Sequence, residues 1–183
     1  MKNAVGEAVS AYREKLAWLH YDVSKEVLIC NLPKTALTMP AVSGGGRSNK
    51  WIAKAPEHNM ASYDPRRATS QNVRGGPLLP GKWLAMSPES SSYFGHEVCR
   101  LVPSKAVKAS YPEREYGFPG GFYIHAAGPK GSDGCIVITT GASRQKLLEA
   151  LKEYGGPVLL FVHFGSAVNP DAFREALLQG YTA

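Results

Sequence analysis

Two side chains able to carry nucleophilic chemistry, His125 and Cys135, lie ten positions apart around a glycine-rich stretch. They belong to Gly120-Gly-Phe-Tyr-Ile-His-Ala-Ala-Gly-Pro-Lys-Gly-Ser-Asp-Gly-Cys-Ile-Val-Ile138. Aromatic and β-branched residues predict one strand ending at His125 and a second starting at Cys135. Gly128, Pro129, Gly131 and Gly134 predict a chain reversal between them. If the strands are neighbours, imidazole and thiol meet at one end of a sheet. A free thiol titrates near ~8.5, so a base beside it is what turns it into a nucleophile. Backbone N–H groups at Gly134 and Cys135 could then stabilise an oxyanion. The spacing thus suggests acyl transfer with Cys135 as nucleophile and His125 as base. The plainer alternative is two packed side chains flanking an ordinary turn.

The run His125-x2-Gly128-x2-Gly131-Ser132-x-Gly134-Cys135 resembles the active-site signature of L,D-transpeptidases, most of all the compact effectors delivered by type VI secretion. Ser43-Gly-x-Gly-Arg-x-Asn49 and Gly76-Pro-Leu-Leu-Pro-Gly81 resemble upstream elements of that group in the same order, so the likeness runs from Val42 to Ile138. Val137 stands where many members carry Arg or Asn.

The resemblance implies an acyl-enzyme on Cys135, formed at the bond before the terminal D-Ala of a peptidoglycan tetrapeptide stem. Water as acceptor gives L,D-carboxypeptidase activity; an amine gives transpeptidation or D-amino-acid exchange. It implies that the Ala126 carbonyl orients His125, with Gly134 supporting the oxyanion. Ser132, Ser43, Arg47 and His96 are expected to contact substrate. No metal or organic cofactor is implied. Expected partners are peptidoglycan stem peptides, with an immunity protein and a secretion apparatus. Two other readings stand beside this one: a cysteine amidase or endopeptidase cutting elsewhere in the stem, and a non-catalytic wall-binding or zinc-stabilised module.

Other signals are weaker. Ser43-Gly-Gly-Gly-Arg-Ser-Asn-Lys50 resembles a phosphate-binding loop, but Asn49 and Trp51 occupy the positions that need Gly and Ser or Thr. His96-x-x-Cys99 with His125 and Cys135 would offer four permissible zinc ligands, though at no common spacing. His163, within an apolar run, is expected to be a hydrogen-bonded core residue.

The elements that must position these residues follow from pattern. Val5, Ala8, Val9, Tyr12, Leu16 and Leu19 recur at helical spacing. Leu16 to Tyr21 and Val27 to Leu32 could instead be two strands joined through Asp22–Glu26. Lys82 to Met86, Glu97 to Val102 and Pro157 to Phe164 read as strands. Ser143 is expected to cap a helix that ends at Gly155, and Asn169-Pro170 to open a last helix that ends at Gly180. The fold class expected is α+β: one β-rich, L,D-transpeptidase-like catalytic domain over residues 1–183, with flanking helices.

Composition bounds the rest. The chain has 183 residues, 44% hydrophobic and 20% charged, which suits one globular domain. A formal charge of +6 favours an anionic partner, yet the basic residues are scattered, and nucleic acid is not expected. Three cysteines are too few for a disulfide scaffold; Cys30 and Cys99 form the first pair to test. No apolar run approaches the ~20 residues of a membrane span. The N-terminal stretch lacks the apolar core of a secretory signal, so export by a non-Sec route and action in the periplasm of a target bacterium are the expectation.

Overall fold

A computed structural model describes residues 16–44, 77–110, 121–126, 132 and 134–163. Among these residues nine strands follow one another: β1 (Trp18–Asp22), β2 (Val27–Leu32), β3 (Thr35–Ser43), β4 (Gly81–Ala85), β5 (Glu89–Ser91), β6 (His96–Pro103), β7 (Phe122–Ala126), β8 (Ile136–Ile138) and β9 (Val158–His163). Two helices accompany them among the described residues, α1 (Lys105–Ser110) and α2 (Gly141–Tyr154).

Alternation decides which side of each strand faces inward. Leu19 and Tyr21 on β1 and Leu28, Cys30 and Leu32 on β2 are buried, while Trp18, His20, Val27, Ile29 and Asn31 between them are partly open. The Asp22 carboxylate fixes the reversal between these strands by accepting from the N–H groups of Ser24 and Lys25, at 3.0 and 3.1 Å. The paired-strand reading of this region is therefore the correct one. Any helix over the preceding residues, and the helix expected after Asn169, lie outside the described residues.

The strands pair in the order β4-β9-β1-β2-β3-β8-β7-β6, and β6 pairs back onto β4. The result is a closed eight-stranded barrel, with β5 added outside the ring against β6. Closure leaves no unpaired edge in the ring. This corrects the expected fold class. The described residues hold only two short helices, not a sheet between flanking helices, because β4 finds partners on both sides.

The barrel interior is the hydrophobic core. Trp83, Tyr21, Leu28, Met39, Ile124, Ile136 and Leu160 meet there. Trp83 donates from Nε1 to the Leu79 carbonyl at 3.0 Å and sets its edge against Phe122, with centroids 5.2 Å apart. Helix α2 adds Leu147, Leu148, Ala150 and Leu151 to the same core. Ion pairs from Lys34 to Glu153 and from Lys152 to Glu97 tie it to the β2–β3 turn and to β6. Its first residue is Gly141 rather than a capping Ser143, and Gly155, at φ 77°, ends it in the left-handed conformation. No helix among the described residues is long and apolar enough to cross a membrane.

Cys30 and Cys99 are both buried in this core and are not bridged. Burial pushes each thiol up to about 12, so neither ionises near neutrality.

Candidate functional site

Strands β7 and β8 run parallel, with Ile124 opposite Ile136, His125 opposite Val137 and Ala126 opposite Ile138. Ile124, Ile136 and Ile138 belong to the core, so His125 and Val137 face the other way, out of the barrel. Extending the alternation one residue before β8 puts Cys135 on the same outer face, level with Tyr123. The two residues singled out by sequence therefore share a face on neighbouring strands, two positions out of step. Both are buried, His125 at 5% exposure and Cys135 at 8%.

His125 is held on two sides, and the peptide next to it on a third. Its Nδ1 lies 2.6 Å from the Ala126 carbonyl oxygen, so Nδ1 carries the proton and Nε2 is left as an acceptor. Phe94 stacks on the ring at 4.6 Å between centroids, with planes 28° apart. His96 approaches from the start of β6, accepting the Ala126 N–H at Nε2 over 3.3 Å. Tyr123 meets Phe94 edge-on at 5.3 Å. Burial is the largest influence on the imidazole and pushes it down to about 4; the Ala126 bond acts upward, while His96 and Arg144 add to the lowering. At neutral pH this ring is uncharged.

The remaining site residues expected from sequence separate into groups. Ser132 is buried, and its hydroxyl donates to the Cys135 carbonyl at 2.9 Å, which shapes the approach to β8. Gly134 takes φ 97°, a conformation glycine adopts freely. Ser43 is fully buried, and its hydroxyl accepts from the Leu78 N–H at 2.8 Å, so it joins β3 to the segment before β4 instead of facing a ligand. Arg47 lies outside the described residues. His96 faces outward, whereas Cys99, three residues on, points into the core, so the two cannot chelate one ion together.

Among the described residues no group of three His, Cys, Asp or Glu side chains is placed to hold a metal. No Cys–His–Asp triad is present among them either. His125 directs Nδ1 to the Ala126 carbonyl. A thiolate–imidazolium pair would need this ring charged, in a place that favours its neutral form down to about 4.

No family model matches the chain. No curated protein matches it either. One similar solved structure is described as "Structure of Bdellovibrio bacteriovorus Bd1075", with TM-score 0.49 and 12% identity over 91% of this chain and 55% of that one. This chain thus spans about half the length of that structure, and a likeness at this level carries no functional argument.

These findings overturn the L,D-transpeptidase expectation. No model of the family matches, the closed barrel is not typical of it, and buried thiols without a triad do not support a cysteine acyl-enzyme. The transferase, hydrolase, cell-wall and toxin readings attached to that resemblance lose their support with it.

Sequence reasoning missed the aromatic part of the site. Phe94 stacks on His125 and meets Tyr123 edge-on, and Arg144, on the first turn of α2, donates to the Glu97 carbonyl at 3.2 Å. The signal available was Tyr93-Phe94-Gly95-His96, an aromatic pair and a glycine leading into a histidine.

Proposed function

We propose that the outer face of β6, β7 and β8 is a non-covalent binding site for an amide-bearing ligand, a short peptide above all. The carrying observation is the orientation of His125. With Nδ1 committed to Ala126 and the ring kept neutral by burial, Nε2 offers one fixed acceptor. A secondary amide presents the matching N–H and is flat enough to lie against Phe94 and Tyr123. A protonated or freely rotating imidazole would suit such a ligand poorly, since its acceptor would be lost or shared between two nitrogens.

Titration of the isotopically labelled protein with short peptides tests this, and a peptidoglycan stem tetrapeptide belongs in the panel. Resonances of His125, Phe94 and Tyr123 should shift together at saturable concentrations. His125→Ala should weaken binding by roughly tenfold, the scale of one lost hydrogen bond in a partly dry site. Shifts confined to other faces of the barrel would reject the site. A covalent adduct on Cys135 in intact-mass spectra would reject the non-covalent reading.

A further inference from the structure

Strand β6 pairs with β7 from Leu101 opposite Phe122 as far as Cys99 opposite Ile124. Past that point the ladder changes character. The next outward step along β7 brings the Ala126 N–H not to a β6 carbonyl but to the His96 side chain, at 3.3 Å. On β6 the Glu97 carbonyl receives Arg144 Nη1. A side chain from each of two elements thus replaces strand-to-strand bonding at the rim where His125 sits.

Ala126 is also the residue whose carbonyl takes the proton of His125 Nδ1. Its N–H and its C=O belong to successive peptide planes that share one Cα. Fixing the first plane limits the freedom of the second. We propose that His96 is a positioning residue, holding Ala126 so that its carbonyl sets the tautomer of His125. This rests on the reading of this face as a binding site only for its consequence on affinity, not for the tautomer itself.

The chemistry sets a condition on His96. To accept at Nε2 it must carry its proton on Nδ1. Phe94 supports both rings, with its centroid 5.9 Å from that of His96 and 4.6 Å from that of His125. Loss of the His96 acceptor leaves the Ala126 N–H to water and frees the carbonyl to turn, so that His125 samples the tautomer with the proton on Nε2. That tautomer presents a donor where the ligand needs an acceptor.

Two-bond nitrogen–proton spectra of the histidine-labelled protein test the proposal without any ligand. In the wild-type chain both His96 and His125 should carry the proton on Nδ1. Finding His96 with its proton on Nε2 would overturn the proposal with no variant required. In His96→Leu the Nε2–H form of His125 should appear, and in His96→Gln, whose amide oxygen can accept, it should recede. A His96→Leu protein that folds and keeps His125 wholly in the Nδ1–H form would overturn it. Peptide affinity should fall about three- to tenfold in His96→Leu and recover in part in His96→Gln. A tautomer change with no peptide binding in any form would retain His96 as a positioning residue and remove the binding reading alone.

Discussion

Desolvation and hydrogen bonding pull His125 in opposite directions, and desolvation is the stronger. The ring is therefore neutral over the whole physiological range and takes a second proton only toward about 4. Ligand affinity should accordingly be flat from about pH 8 down to about pH 5.5 and weaken below that, as Nε2 changes from acceptor to donor. A carbon-detected titration of His125 with its midpoint above pH 6 would refute this account. The core thiols give a second residue-level expectation. Cys30 and Cys99, both held near 12, should resist an aromatic disulfide reagent at pH 8 in the native protein and react only once the barrel is unfolded. Rapid native labelling at either would show that the core opens readily. Much of the site's neighbourhood was legible at this scale, since glycines and the His–Cys spacing mark the rim that holds His125, Ala126, Ser132 and Gly134. Its chemistry was not, because burial and the bond to a backbone carbonyl are tertiary facts. Ser43 shows the limit: a hydroxyl beside glycines reads as a ligand contact, yet it is spent on the Leu78 N–H.

At the level of elements, the tightest constraint lies where β4 begins. Gly81 has φ 127°, and a Cβ placed there would come to 2.5 Å from Val107 Cγ2 on α1. Val107 is buried, and its N–H is accepted by the Ser104 hydroxyl at 3.2 Å, so α1 is fastened at this point and gives way poorly. Gly81→Ala should therefore destabilise the fold by about 1–3 kcal/mol, combining backbone strain with overpacking. Urea unfolding measures it, and a loss under ~0.5 kcal/mol would show that α1 moves aside at little cost. Strands β7 and β9 were readable within a residue, whereas β1 and β2 were legible only as the alternative to a longer opening helix. By contrast β3 escaped notice, since its burial alternates only weakly over Thr35–Thr38 and it contains Pro40. Helix α1 is six residues long and buries only Val107, too little for a periodic signal.

For the whole molecule, closure is the property that local pattern could not reveal. It depends on β4 pairing with β9 on one side and β6 on the other, partners distant in sequence and indistinguishable from other apolar strands. The same ring brings β1 beside β9 in parallel and so stacks His20 on His163, with centroids 4.4 Å apart and planes 13° apart. His163 also lies 3.8 Å from the Asp22 carboxylate. Burial first, and then His163, push His20 down to about 4, against the upward pull of Asp22; His125 is held at about the same value on the opposite side of the barrel. Both groups start from 6.5 in the unfolded chain, so between about 6.5 and 4 the unfolded state binds more protons than the native state. Stability contributed by keeping these rings neutral is thus fully present above 6.5 and is lost as pH falls toward 4. Each ring is worth at most roughly 3 kcal/mol by this linkage, less for His20, which is only half buried by its surroundings. Urea midpoints should therefore decline from pH 7 to pH 4, and His20→Gln should flatten part of that decline by removing one of the two rings. An unchanged slope in His20→Gln would mean that the β1–β9 seam tolerates the charged imidazole and that the acid sensitivity arises elsewhere in the chain.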